Sequence, residues 1–374
     1  MIPPMNSPSR SEDEQSSQVL EKIKRVRKNR RNKFYLRDTH ITLSHGSGGK
    51  ATHNLVEGVF GPAFANPLLD RMDDAATFTV GEQFPRLAFT TDSYVVNPLF
   101  FPGGDIGRLA VHGTINDLAM AGARPLYLSA GFILEEGFPL ADLRRIVDSM
   151  ACAAQEAGVA IVTGDTKVVQ RGKADGLFIN TAGVGTLHPN AHLGQDQMQP
   201  GDVVLLSGPI GDHGCAILLA REALDIESEI QSDSAPLHTL VATLLDTLGD
   251  RLHSLKDPTR GGVATSLNEM AQASEVAVVL DEAAIPVRPD VRGICEILGL
   301  DPLTIANEGK LLAVVSPDMV GEALSIMRAH PLGSEAAIVG TIQAEPSAMV
   351  FMRTGIGGKR VLDMLVGDPL PRIC

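Results

Sequence analysis

Apolar positions recur at three- and four-residue steps through PLADLRRIVDSMACAAQEAG, at Leu143, Ile146, Val147, Met150 and Ala154, with Gly158 placed as a C-cap. That spacing predicts an amphipathic helix. GRLAVHGTINDLAMAG predicts a second one. Short apolar runs alternate with them, and RLAFTTD, YLSAGFIL, VAIVTGD and LFINTAGVG predict strands. A polar stretch containing Pro and Gly, TLHPNAHLGQDQMQPGD, predicts a linker. Beyond it VVLLSGPIGDHGCAILLAREAL reads as strand, glycine turn and helix, and the pattern continues through DPTRGGVATSLNEMAQAS, VAVVL, KLLAVVSP and EAAIVGTI. Strands and helices alternate in both halves, so two mixed α/β domains are expected. No fixed-period repeat is present.

These patterns divide the 374 residues at stated boundaries. Residues 1–37 read as a basic extension, 38–186 and 187–350 as the two domains, and 351–374 as a segment with a mobile tail. Ordered structure should begin near HITLSHGSGGK, and Pro369 and Pro371 forbid a regular helix at the far end. No apolar run is long enough to cross a bilayer and no leader precedes a cleavage-like site, which predicts a soluble, cytoplasmic protein.

Charge is unevenly placed. Residues 1–37 hold ten Lys or Arg against four Asp or Glu, a net of +6, while the remainder holds 22 against 41, a net of −19. The basic run is either an arm for an acidic partner or a solvated extension; no aromatic platform accompanies it, which favours the extension. The acidic body argues against nucleic acid as the main partner. Of four cysteines, Cys152, Cys215 and Cys295 sit in apolar helical contexts and are expected to be small buried hydrophobes. Cys374 stands apart, at the last position of PRIC.

Two apolar strands run into aspartate, at Asp92 and Asp165. A strand buried on both faces delivers its first polar residue to the sheet edge, where ligands commonly bind. Asp73 and Asp74 are paired in RMDDAATF, Asn116 and Asp117 lie on a predicted helix, and Asp212 and Asp257 follow in GPIGDHG and DPTRGG. Hard oxygen donors without a Cys/His cluster point to Mg²⁺ shared with phosphate oxygens. HGSGGK, residues 45–50, is either a backbone cradle for phosphate or an ordinary glycine turn. It is not a Walker A loop, which needs glycine at Ser44 and Ser or Thr at Ala51.

HGSGGK, DDAA, LAFTTDSYVVNPLFFPGGDIG, GTINDLAMAGARPLYLS, GFILEEGFPL, VTGDTKVV, GPIGDHG, DPTRGG, ANEGKLLAVV and PRIC occur in this order from about His40 to Cys374. Together they closely resemble the HypE family of hydrogenase maturation proteins. That family belongs with aminoimidazole ribonucleotide synthetase, selenophosphate synthetase and thiamine monophosphate kinase. The resemblance implies a PurM-like fold, with an N-terminal dimerising sheet domain and a C-terminal α/β domain, in a homodimer. It also implies a reaction: a HypF-type carbamoyltransferase loads Cys374, ATP drives dehydration of the thiocarbamate to a thiocyanate, and cyanide passes to iron on a HypC–HypD complex.

Residue by residue, the resemblance makes Cys374 the carrier. It implies roles in catalysis for Glu308 of NEGK and Lys167 of GDTK. ATP would be held by His45, Gly46, Ser47, Gly48, Gly49, Lys50, Asp92, Asn116, Asp117 and Thr259. Mg²⁺ would be held by Asp73, Asp74, Asp92, Asp117, Asp165 and Asp257. The chemistry fits these residue types. Phosphorylating the carbamoyl oxygen turns a poor leaving group into phosphate, and a carboxylate such as Glu308 can take the N–H protons. A carboxylate beside the last cysteine should disfavour its thiolate. A related synthetase or kinase needs no carrier thiol, and TLSHGSGGK lacks the reactive Cys or Sec usual in selenophosphate synthetases. A non-enzymatic adaptor would keep the carbamoyl group in the presence of ATP.

Overall fold

The computed structural model describes residues 43–46, 49–60, 68, 71–79, 85–221, 228–364 and 372–374. The basic extension, Ser47, Gly48, Pro369 and Pro371 lie outside the described residues. Two sheets carry the molecule. The first has the strand order β1-β2-β7-β5-β6, with β1 Ala76–Thr79, β2 Arg86–Tyr94, β5 Ala123–Glu135, β6 Ala160–Val169 and β7 Leu177–Leu187. Only the β5–β6 pairing is parallel. A two-strand hairpin, β3 Phe100–Phe101 and β4 Gly104–Asp105, lies beside it.

A short helix, α1 Lys50–Leu55, precedes this sheet, and two longer ones serve it. In α2, Ile106–Met120, almost every residue is buried, and the Asp105 carboxylate caps its start by accepting from the Gly107 and Arg108 amides. In α3, Leu140–Glu156, the buried stripe is Ile146, Met150, Ala153 and Ala154. Val147 and Cys152 are exposed, contrary to the sequence expectation. A three-residue step from Met150 leads to Ala153 and leaves Cys152 about 100° round the helix, on the solvent side.

The second sheet runs β14-β13-β10-β12-β8-β11-β9. Its strands are β8 Val203–Leu206, β9 Leu252–Lys256, β10 Ala277–Asp281, β11 Leu312–Val315, β12 Ala337–Gln343, β13 Met349–Arg353 and β14 Lys359–Leu362. The sheet therefore continues twelve residues past the expected boundary at 350, because the MVFMR and KRVL segments pair as a hairpin around a Thr354–Gly358 turn. Helices α4 Asp212–Arg221, α5 His238–Leu248, α6 Gly262–Ala273, α7 Pro289–Leu298 and α8 Val320–Ala329 accompany it.

Successive residues on a strand face opposite ways, and here both faces are buried. Val204, Leu206, Leu312 and Val314 share an apolar cluster with Val263 and Leu267 of α6. Leu205, Ala313 and Val315 share another with Leu240 and Leu244 of α5 and Met327 of α8. The first sheet differs. Its inner face packs on α2, with Ala88, Tyr94, Leu128 and Ile179 buried. Its outer face leaves Phe89, Tyr127 and Ile133 exposed, and β6 is exposed along nearly its whole length.

Candidate functional site

Ionisable side chains converge where the inner face of the first sheet meets the β9–α6 loop of the second domain. Asp92 of β2 and Asp117 of α2 come from the first side. Lys256, Asp257, Thr259 and Arg260 come from the end of β9 and loop 257–261, which turns back through Gly261 and Gly262 at φ +83° and +61°. Glu308 enters from the segment before β11. A Cβ at the neighbouring Gly309 would stand 1.8 Å from the Asp233 carbonyl oxygen, so only glycine lets the Asp233 segment close over Glu308. The Glu308 amide donates to Asp233 Oδ1 at 3.0 Å, and Lys310 Nζ pairs with the other Asp233 oxygen at 3.1 Å.

The carboxylates raise one another's pKa. Burial, then Asp257, Asp92 and Asp74, push Asp117 well above the usual range, against a hydrogen bond from the Thr90 hydroxyl at 2.9 Å. Burial and Asp74 raise Asp257 to about 7. Asp92 reaches solvent at the open side of the cluster, yet desolvation by its neighbours still raises it. Glu308 is 3% exposed, and burial followed by Asp257, Asp233 and Asp92 holds its carboxyl well above an ordinary glutamate. Its Oε1 has no hydrogen-bond partner among the described residues. Burial works against the Lys256 ammonium, but Asp74 at 2.5 Å and Glu269 at 3.4 Å outweigh it and raise its pKa.

Cys374 lies within this cluster. Arg260 Nη2 donates to its Sγ at 2.7 Å. Burial pushes the thiol up to about 12, opposed by Arg260 and reinforced by Glu308 and Asp92. The neutral thiol expected from the sequence thus has burial as its leading cause. Residues 372–374 run antiparallel to 95–97, with Asn97 donating to the Arg372 carbonyl and Val95 to that of Cys374, both at 3.1 Å.

Other expected site residues stand elsewhere. Asp73 accepts from Arg71 Nε at 2.8 Å and, with Asp74, borders a cavity of about 250 Å³ that Arg86, His192 and Gln195 also line. Asn116 is 0% exposed and its amide is fully engaged. It donates to the Ala235 and Glu308 carbonyls at 3.0 and 3.2 Å and accepts from Leu237 at 2.8 Å, so it braces Glu308 and has no group left for a nucleotide. Thr259 turns the loop through backbone bonds with Asp257 and Gly262. His45 and Gly46 lie in a short 3-10 turn, Gly49 precedes α1, and Lys50 pairs with Asp363 at 2.5 Å.

Asp165 and Lys167 depart most from expectation. They pair with each other at 2.6 Å, each 70% exposed, and Lys167 lowers the Asp165 pKa. The register aligns Ser93, Asn180, Gly131 and Asp165 across the sheet. Asp165 therefore shares the outer face with Ser93, whereas Asp92 points inward, three strands and about 14 Å away. Asp212 heads α4, pairs with Arg288 at 3.1 Å, and is raised to about 6, chiefly by burial.

Sequence reasoning passed over Arg260, although it closes the DPTR motif. It also passed over His213 and Arg221, which hold the tail carbonyls. The glycines around Arg260 and His213 were the available signal, since tight turns commonly present functional side chains.

Comparisons agree with this architecture. Residues 72–187 match the family model for the N-terminal domain of AIR synthase related proteins, and residues 199–352 match that for the C-terminal domain. Carbamoyl dehydratase HypE of Rhizobium leguminosarum bv. viciae is 56% identical over 334 residues, covering 89% of this chain and 95% of the relative. A crystal structure of a HypE–HypF complex superposes with a TM-score of 0.79 at 49% identity, covering 83% of this chain and 99% of the solved one. One of HypE in complex with ATP gives 0.75 at 48%, covering 90% and 100%. The chain belongs to the AIR synthase related family and, within it, to the HypE carbamoyl dehydratases.

Proposed function

We propose that this chain is an ATP-dependent dehydratase acting on a carbamoyl group carried by Cys374. It leaves a thiocyanate that supplies the cyanide ligand of iron in [NiFe]-hydrogenase. One observation carries the reading: Cys374 Sγ is held by Arg260 inside a desolvated carboxylate cluster, next to a buried glutamate with an unpaired oxygen.

The bond changes follow from that arrangement. A carbamoyl group on Sγ puts its oxygen within reach of the Arg260 fork, whose planar N–H groups suit an oxygen and then a phosphoryl group. The oxygen attacks the γ-phosphorus of ATP, an O–P bond forms, and ADP leaves. The carbamoyl nitrogen loses a proton, becoming an imine. The C–O bond then breaks, phosphate departs, the second N–H proton is removed, and C≡N forms. Glu308 is assigned as the base: burial makes its carboxylate more basic than an ordinary glutamate, and its Oε1, without a hydrogen-bond partner among the described residues, is free to accept. Enclosure keeps the cyanate-level carbon from water.

The donor set suits Mg²⁺. Asp74, Asp92, Asp117 and Asp257 are hard oxygen ligands that repel one another until a cation is shared among them. Among the described residues no three His, Cys, Asp or Glu converge into a metal cage, so phosphate oxygens and water would complete the coordination. When bound, the ion would neutralise charge on the transferring phosphoryl group.

A HypF-type carbamoyltransferase loads the thiol, and a HypC–HypD complex receives the cyanide. A second copy of this chain covers the outer face of the first sheet, a reading supported by exposed Phe89, Tyr127 and Ile133. Asp165 and Lys167 lie on that face and would enter the chemistry through the dimer. Use of ATP supports a cytoplasmic setting, and among the described residues no helix is long and apolar enough to cross a membrane. Incubating the carbamoyl-loaded chain with ATP tests the function. The peptide containing Cys374 should lose one water per ADP formed; retention of the carbamoyl group beside bound ATP overturns the reading.

A further inference from the structure

We infer that Arg372, Ile373 and Cys374 dock as a self-contained peptide ligand, so that the body of the protein binds, and dehydrates in trans, a separate S-carbamoyl peptide ending in Arg-Ile-Cys. The binding half stands on geometry alone; the dehydration half rests on the function proposed above.

Each of the three residues has its own partners in the body. The Arg372 carbonyl accepts from the Asn97 amide at 3.1 Å and from the Arg221 side chain. Its guanidinium donates from Nε to the Val95 carbonyl at 3.2 Å and pairs through Nη1 with Asp175 at 2.5 Å. Ile373 is 2% exposed and belongs to the same apolar cluster as Phe101, Ile305 and Ala306. Its carbonyl meets His213 Nε2 at 2.7 Å. The Cys374 carbonyl accepts from Val95, and its Sγ accepts from Arg260. All three carbonyls, the buried side chain and the long basic side chain are thus satisfied by residues far away in sequence.

This is strand addition at the end of β2, with main-chain bonds giving affinity and a pocket for the middle side chain giving selectivity. The pocket is built in advance. His213 is 0% exposed, its Nδ1 lies 2.8 Å from Ser232 Oγ, and the Phe101 ring stands edge-on at 5.7 Å between centroids. Burial lowers the His213 pKa, which keeps the ring neutral. With Ser232 donating to Nδ1, the proton is on Nε2, where Ile373 needs a donor. A tether presents its own end at an effective concentration on the order of millimolar, so affinity for the detached peptide need only be of that order.

The test uses full-length protein. In the wild-type chain, a free Leu-Pro-Arg-Ile-Ser peptide at millimolar concentration should displace the tail and raise the alkylation rate of Cys374 several-fold. The same peptide with Ala for Arg should not. A chain carrying Arg372→Ala and Cys374→Ala has a weakened tail and no carrier. Given ATP and S-carbamoyl Leu-Pro-Arg-Ile-Cys, it should convert the peptide to its thiocyanate with one ADP and one phosphate per peptide. The bond changes are those described for the attached tail. Conversion should fall at least tenfold for the Ala-for-Arg peptide. No effect on alkylation, no conversion in trans, or equal conversion of both peptides overturns the inference, provided the loaded wild-type chain dehydrates its own tail. Failure of that last control sinks the proposed function instead.

Discussion

Asp92 and Asp165 lie on strands of the same sheet, each after an apolar run and before a polar residue. The sequence predicts that each ends its strand; both strands instead run on, to Tyr94 and Val169, and the two aspartates occupy opposite worlds. Asp92 points inward to a cluster where Asp117, Asp257 and Glu308 all have raised pKa values. Asp165 stands on an exposed edge, and its pKa is lowered by Lys167. A one-residue change of strand parity and three strand spacings separate them. Chemistry that needs desolvation can proceed in a single chain only at the first. The second needs a cover, and the exposed aromatic and aliphatic residues around it supply the surface for one.

The largest effect that would sharpen this contrast is at Glu308. Glu308→Gln should cut nitrile formation by roughly 10²–10⁴-fold, the contribution of a positioned general base. Carbamoyl loading and ATP binding should persist, as single-turnover mass spectrometry and nucleotide titration would report. Arg260→Lys comes next. Losing the planar fork should slow the same step by about 10²-fold. It should also leave Cys374 modestly harder to ionise than in wild type, because the guanidinium hydrogen bond to Sγ that helps lower its pKa is lost while the positive charge stays. The pH dependence of alkylation measures that second effect, which damage elsewhere would not reproduce.

Tyr127→Asp probes the other region. A charge on the exposed outer face should convert a dimer to a monomer in sedimentation without unfolding either sheet. If Asp165 and Lys167 work across the copies, nitrile formation falls with the dimer. A fully active monomer would confine the chemistry to the inner cluster. The smallest effect is on tail docking. The docked Cys374 thiol has its pKa raised from 9.0 to about 12, so docking is complete below pH 9 and is lost as pH rises towards 12. Between those values docking should weaken by up to tenfold per pH unit. Hydrogen exchange at the Val95 and Asn97 amides, corrected for its intrinsic base catalysis, should follow that slope.

Periodicity alone made the elements of the first sheet legible: α3, β2, β5, β6 and β7 fall on the segments their patterns predict. The motifs brought Asp92, Asp117, Asp257, Glu308 and Cys374 into one neighbourhood. What the sequence withheld has physical causes. Spacing does not reveal where a strand stops, which way a side chain on it points, or whether the strand is central or at an edge, so Asp92 and Asp165 looked alike. Motif membership does not say what a side chain touches. Asn116 is used up on the Ala235, Leu237 and Glu308 backbone, and Lys50 on Asp363. Arg260 was hidden for the converse reason, since its partner lies 114 residues away and is met only through the fold.

The most direct measurement follows an atom. The chain loaded at Cys374 with carbamoyl bearing oxygen-18 is mixed with ATP in ordinary water, and the released phosphate and C-terminal peptide are weighed. The account predicts one heavy oxygen in each phosphate and a nitrile on Cys374. Heavy oxygen appearing in water, or a nitrile forming at the wild-type rate in Glu308→Gln, would contradict it.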